Sequence, residues 1–241
     1  LITIELINTF KEAGKLSIDL RNIGLKKEIK EDNTPVTNGD IEVNNILTKK
    51  IKSITSNLPI ISEESSENKN INKLENFWLI DPIDGTYDYV YGKDEFTLNA
   101  ALIIDRKPKI GIIYAPAKER LFFSFGKNEC YELSKGQKYK LSCKKKTNKN
   151  QVKAVVYSEK LKSSIKNIHI NNGVTDIVKM KSSLKFCVVA SGEYDIYAAE
   201  PRASEWDIAA GHAIVEGAGG AVTDFDGNEI LYGKENFFNN S

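Results

Sequence analysis

Hydrophobic spacing divides the chain into two opening helices, a run of strands and a mixed tail. From Leu1 to about Asn22, Ile4, Leu6, Ile7 and Phe10 fall at helical spacing with later apolar residues. Ile41, Ile46, Leu47 and Ile51 repeat the pattern over Thr37 to Ile54. Between the two predicted helices, KKEIKEDNTPVTNGD is polar and holds Pro35 and Gly39, which predicts a loop. LPIIS reads as a short strand. A solvated Asn/Lys-rich loop, Glu67 to Asn76, leads to FWLI, a fully apolar strand expected to stop at Asp81. FTLNAALII, KIGIIYAP and RLFFSF, separated by turn signals such as Asp105 to Pro108, predict a meander of mostly antiparallel strands.

The segment Lys144 to Gln151, KKKTNKNQ, has little to bury and marks the boundary between halves. We place an N-terminal α+β half at 1–147, carrying most of the candidate ligands, and a C-terminal α/β half at 148–241 that completes the site within one compact unit. In the second half AVVYS and YDIYAA read as strands, SSLKFCVVASG as a buried helix and SEWDIAAGHAIVEGAGG as a helix that ends in glycines. The fold class is α/β or α+β.

Composition removes several functions. A chain of 241 residues with 41% hydrophobic and 28% charged residues can bury a sizeable core. Lys+Arg 34 against Asp+Glu 33 leaves a net charge of +1, so no nucleic-acid polymer is expected as partner. No apolar run approaches the roughly 18 residues of a membrane span, so no integral membrane association is expected. The first residues lack a basic leader pattern. Cys130, Cys143 and Cys187 are odd in number and form no CxxC, which suits a reducing compartment, with the cytoplasm as the expected location.

The chemistry concentrates where the apolar strand ends in Asp81-Pro82-Ile83-Asp84-Gly85-Thr86. Pro82 stiffens the turn, Gly85 allows close backbone approach, Thr86 adds a hydroxyl, and the amides after Asp84 are suited to phosphate. Alone, this is also what an ordinary Pro/Asp/Gly turn looks like. Ser62-Glu63-Glu64 ends the preceding strand, and Ser204-Glu205-Trp206-Asp207 opens the last helix, where Asp207 also suits a capping box. Brought together, Glu63, Asp81, Asp84 and Asp207 would repel unless cations sat between them. Hard oxygen ligands with no histidine in the motifs favour Mg²⁺. Two such ions roughly 3.5 to 4 Å apart would clamp a phosphate and activate water, the chemistry of phosphate monoester hydrolysis.

The ordered trio SEE, DPIDGT and WDIAAG resembles the magnesium-dependent, lithium-sensitive inositol monophosphatase superfamily. Within it, EFTLNAALI, GIIYAP, SSLKFC, WDIAAGHA and DFDGNEILYGKENFFN are most similar to bacterial 3'(2'),5'-bisphosphate nucleotidases, with Gln151 to Val178 poorly matched. The resemblance implies a layered αβαβα sandwich and about two or three Mg²⁺ ions. It implies metal ligands at Glu63, Asp81, the Ile83 carbonyl, Asp84 and Asp207, and catalytic roles for Asp40, Thr86 and Glu63, with Thr86 orienting the attacking water and Asp40 assisting. It implies substrate contacts from Gly85, Thr86, Tyr87 and Asp207, and nucleotide contacts from Ser182 and Lys185, which would share a face if both are helical. Nucleotidases of this type often carry an arginine two residues after the tyrosine matching Tyr197, where this chain has Ala199; Arg202 is a candidate substitute. Glu200 stands where inositol monophosphatases resemble this chain in using an acid for ring hydroxyls. The expected partner is a small phosphorylated molecule, adenosine 3',5'-bisphosphate first, with 3'-phosphoadenylyl sulfate as a second nucleotide. An inositol phosphate is the alternative, and a non-catalytic phosphate-ligand or cation-binding role the second alternative. A homodimer is compatible with the sequence.

Overall fold

The computed structural model describes residues 2–30, 35–65, 73–143 and 151–239. Helices α1 (Ile2–Ile23) and α2 (Asn38–Ile54) form where the spacing put them. Leu6, Phe10, Val43, Leu47 and Ile51 close over Trp78, Ile80, Leu98 and Ile112 of the central sheet. The intervening polar stretch is not loop throughout: β1 (Lys27–Ile29) pairs antiparallel with β2 (Pro35–Thr37). All three β1 residues are exposed, so no apolar alternation marks that strand in the sequence.

The central sheet has seven strands in chain order: β3 (Ile60–Ser62), β4 (Phe77–Asp84), β5 (Thr97–Ile104), β6 (Lys107–Ala115), β7 (Arg120–Ser124), β8 (Cys130–Ser134) and β9 (Gln137–Lys140). A five-residue helix, α3 (Thr86–Val90), joins β4 to β5. From β4 onward the strands form the expected antiparallel meander, with β8 and β9 added beyond the pattern, the latter exposed at every position. β3 runs parallel to β4. Their carboxyl ends therefore share one sheet edge, which brings Glu63 beside the Asp81–Asp84 turn. The apolar run of β4 reflects burial on both faces: Trp78 and Ile80 face α1 and α2, while Phe77 and Leu79 belong to the opposite core.

The expectation that β4 stops at Asp81 is corrected. The strand runs on to Asp84, but Asp81 pairs with Asn99 and Asp84 with Thr97, three steps on β4 against two on β5. This β-bulge absorbs one extra residue and leaves room for Pro82, which has no amide to give the ladder.

The C-terminal part comprises β10 (Val152–Val156), α4 (Ser163–Asn171), β11 (Val174–Lys179), α5 (Leu184–Ala190), β12 (Ile196–Tyr197) and α6 (Glu205–Gly217). Its strands make a parallel sheet in the order β11-β10-β12. α4 and β11 extend the sequence reading; five of the six β11 residues are exposed, which hides the strand pattern. α5 and α6 lie between the two sheets, giving the layers α1/α2, seven-stranded sheet, α5/α6, three-stranded sheet and α4, the αβαβα sandwich. The expected boundary at 147/148 falls within 144–150, outside the described residues, as does most of the loop expected from Glu67. No described helix is long and apolar enough to cross a membrane.

One contact sets where α6 sits. A Cβ added at Gly111 on β6 would stand 2.8 Å from the Ala213 Cβ and closer still to the Ala210 carbonyl oxygen. The missing side chain lets α6, whose first turn carries Asp207, rest directly on the sheet. Gly111→Ala is therefore expected to cost about 1 to 3 kcal/mol of stability, by forcing helix and sheet apart. Thermal melts check this, and an unchanged midpoint would show that the packing yields freely.

Candidate active site

The bulge sets the phase of the acidic side chains. In a regular strand, residues three apart point to opposite faces. The extra residue brings Asp81 and Asp84 to one edge, where each lies within electrostatic reach of Glu63. The same edge receives the first turn of α6. Glu63, Asp81 and Asp207 each offer an oxygen within 4.8 Å of the others. Asp84 joins this cage through its neighbours: its Oδ2 accepts a 2.6 Å hydrogen bond from Ser183, whose hydroxyl oxygen also lies 2.9 Å from the Asp207 carbonyl oxygen. Asn99 on β5 donates to the Ser183 oxygen at 3.1 Å, fixing that bridge.

Two of the acids are aimed by helix starts. Asp40 is the third residue of α2, and its Oδ2 accepts from the Thr37 amide at 2.8 Å and the Thr37 hydroxyl at 2.6 Å. Asp207 holds the equivalent position in α6, with Oδ2 accepting from the Ser204 amide at 2.8 Å. Each capping box fixes one carboxylate oxygen and leaves the other for the site. The capping box expected at Asp207 is present, and capping occupies one oxygen of each carboxylate. The Thr86 hydroxyl lies 3.3 Å from Asp40 Oδ1 and 3.1 Å from the Ile83 carbonyl oxygen. Gly85, at φ 90°, turns the chain into α3, and a Cβ there would come 3.0 Å from the Glu95 carbonyl oxygen.

The electrostatics show what the cage lacks. Burial pushes Asp81 well above the usual carboxylate range, and the charges of Glu63, Asp84, Asp207 and Asp40 push it further. Asp207 is raised well above that range in the same way, by burial and then by Asp84 and Glu63. Burial also raises Glu63, with the Lys30 ammonium pulling it back. Asp40 is raised by burial against the hydrogen bonds from Thr37. Asp81 Oδ1 is buried with no hydrogen-bond partner among the described residues. An orphaned anionic oxygen among other hard oxygens fits a divalent cation, and Glu63, Asp81, Asp84 and Asp207 are the residues that could hold it.

Lys30, which the sequence reading passed over, supplies positive charge from the polar stretch. It pairs with Glu63 at 3.3 Å and Glu64 at 2.7 Å. No sequence signal singles it out among the neighbouring lysines. Ser183 was likewise missed, although it adjoins Ser182.

The substrate residues are partly rearranged. Ser182 and Lys185 do not share a helix face: α5 begins at Leu184, and Ser182 precedes it in the left-handed region at φ 53°. Lys185 is buried, not solvated; its ammonium bonds the Ser182 carbonyl and lies 5.3 Å from the Tyr197 ring centroid. Burial holds its pKa below the ordinary lysine value, with Asp84 working against that. Both residues line a cleft of about 520 Å³ that also takes in Asp84, Asp207, Tyr197 and Arg202. Tyr87 is 60% exposed and packs against Tyr91, outside that cleft.

Five layers with an acidic cage at the carboxyl edge of the central sheet place the chain in the layered α/β class. The chain belongs to the inositol monophosphatase family, whose family model matches residues 2–241. It is similar to the 3'(2'),5'-bisphosphate nucleotidase CysQ of Buchnera aphidicola, with 40% identity over 207 residues, 84% of this chain and 76% of that protein. The protein of the same name from Escherichia coli K12 is 31% identical over 217 residues, 87% of this chain and 85% of the relative. Among solved structures, CysQ from Bacteroides thetaiotaomicron superposes with a TM-score of 0.78 at 26% identity, covering 98% of this chain and 93% of that one.

Because the raised carboxyl of Asp81 favours the folded state only while it holds its proton, the metal-free protein loses this contribution as pH rises from the ordinary carboxylate range through the raised value. Asp81→Asn should melt above the parent in metal-free buffer, with the gap widening from pH 5 to pH 8. It should also lose the thermal shift that Mg²⁺ gives the parent. Melting curves with chelator and with Mg²⁺ check both; a variant less stable than the parent at pH 8 would contradict the repulsion.

Proposed function

We propose that the chain is a Mg²⁺-dependent phosphatase that removes the 3'-phosphate of adenosine 3',5'-bisphosphate, and of 3'-phosphoadenylyl sulfate, leaving the 5' group in place. The observation that carries this reading is the cage of Glu63, Asp81, Asp84 and Asp207 beside the Thr86–Asp40 hydrogen bond, opening on a cleft that contains a buried lysine. The names of the similar CysQ proteins support the choice of substrate.

Bound in the cage, divalent ions would supply a Lewis acid for the phosphoryl oxygens and lower the pKa of water. The protein's own residues do the rest. Thr86 donates its hydroxyl hydrogen bond toward Asp40, which leaves its lone pairs to accept a hydrogen bond from the attacking water and aim the water oxygen. Gly85 keeps the backbone free of a side chain where the phosphate approaches. Lys185 offers charge to a second phosphate away from the cage. Inhibition by lithium, a place in sulfur assimilation and a cytoplasmic location form part of the same proposal. An inositol phosphate is the alternative substrate; Glu200, the residue on which it rests, lines the cleft with Oε2 accepting from the Tyr157 hydroxyl at 2.6 Å and Oε1 from Ser164 at 3.4 Å.

Two experiments test this. Thr86→Val keeps the side-chain shape and should lower kcat by roughly 100-fold or more with little change in KM; a raised KM at full kcat would move Thr86 to ground-state binding. In a Mg²⁺ substrate panel, adenosine 3',5'-bisphosphate should give a higher kcat/KM than inositol 1-phosphate, and millimolar Li⁺ should slow turnover more than Na⁺ at equal ionic strength. A parent enzyme that prefers inositol 1-phosphate would sink the nucleotidase reading.

A further inference from the structure

The wall of the cleft away from the cage carries an arginine that is held but not used. The Arg202 guanidinium stacks on the Tyr157 ring, 4.0 Å from its centroid. It makes no hydrogen bond or ion pair with the other described residues. The ring beneath it is itself tied down: the Tyr157 hydroxyl donates to Glu200 Oε2 at 2.6 Å, and Glu200 Oε1 lies 3.4 Å from the Ser164 hydroxyl and 4.0 Å from the Lys162 ammonium. Glu200 thus reaches from the cleft wall toward α4, with one oxygen on Tyr157 and the other on Ser164. Arg202, Tyr157 and Lys185 line the same cleft as Asp84 and Asp207. Two cations of different kinds meet there, one buried and one exposed, on a surface whose other end is acidic.

We propose that Arg202 is a specificity-determining residue that, with Lys185, holds the second phosphate of a bisphosphate substrate, and that Tyr157 and Glu200 are the positioning residues that keep its guanidinium in the cleft. This rests on the nucleotidase reading and goes beyond it by naming the group that selects two phosphates over one. A guanidinium with unspent donors matches a phosphate through two parallel N–H bonds, which an ammonium cannot do. Stacking fixes the plane of the fork before the ligand arrives, so less side-chain freedom is lost on binding. The Tyr157–Glu200 bond holds the platform and leaves the arginine charge uncompensated on the open side. An acid placed directly against Arg202 would cancel that charge. The acid one step removed preserves it.

The test compares adenosine 3',5'-bisphosphate with adenosine 3'-monophosphate, which keeps the scissile ester and lacks the second phosphate, in Mg²⁺. Arg202→Ala should lower kcat/KM for the bisphosphate by about 10- to 100-fold and change the monophosphate by less than about 2-fold. Arg202→Lys should recover part of the loss. Tyr157→Leu should lower the bisphosphate value alone, and should add nothing in the Arg202→Ala background, because both changes remove one device. Arg202 is exposed, so its substitution does not threaten the fold. Unchanged bisphosphate kinetics in Arg202→Ala, or equal losses on both substrates, would overturn the assignment. The nucleotidase reading would survive that result if the parent enzyme still prefers the bisphosphate to inositol 1-phosphate. The opposite preference in the parent would overturn both.

Discussion

Carboxylates gathered at one sheet edge repel each other, and burial raises the cost of every charge among them. Much of the surrounding structure is arranged to keep Glu63, Asp81, Asp84 and Asp207 together against that tendency. β3 and β4 are parallel, so two acidic segments end side by side. Gly111 lets α6 press on the sheet and deliver Asp207. Lys30 answers Glu63 and Glu64 from outside, and Ser183 spans Asp84 and the Asp207 carbonyl. None of these neutralises Asp81, whose Oδ1 stays bare. A buried carboxyl with a bare oxygen among other acids is a setting suited to a cation, which would offset the repulsion that packing leaves in place.

The two capping boxes divide each acid between structure and chemistry. Asp40 and Asp207 both spend one oxygen on the start of a helix, so side-chain direction is set by backbone that the helix itself holds rigid. The cage is built from strand ends and helix starts throughout. The selective wall is built differently, from side chains that hold one another: Glu200 on Tyr157, Tyr157 under Arg202, and Lys185 against the Ser182 carbonyl. The cage thus rests on main-chain elements and the cleft wall on contacts between side chains.

Much of this was legible in the sequence, and the physical reasons differ by residue. Helices α1 and α2, the meander from β4 to β7 and the acidic motifs were readable because each has a period or a spacing that burial and charge require. Strands β1, β9 and β11 were not, since exposed strands carry no alternation. The bulge was hidden because Asp-Pro-Ile-Asp reads as a strand followed by a turn unless the pairing of Asp81 with Asn99 and Asp84 with Thr97 is known. Ser182 was misplaced onto the helix because its left-handed backbone leaves no mark on a serine. Lys30 and the Tyr157–Glu200 bond connect residues distant in the chain, and such pairings become visible only in three dimensions.

The bulge in β4 works as a phase shift, and it makes the length of one short segment as informative as its chemistry. The pairing sets which way the two acids face: Asp81 and Asp84 lie opposite Asn99 and Thr97, two positions apart on β5, although three positions separate them on β4. Loss of one residue there would remove the bulge and leave Asp84 two positions from Asp81 in a regular pleat, on the same face as now but without the widened stretch that accommodates Pro82. Ile83 is divided by that geometry: its carbonyl oxygen faces the Thr86 hydroxyl at 3.1 Å, while its side chain is buried in the core with Trp78 and Ile80 and anchors the turn from behind.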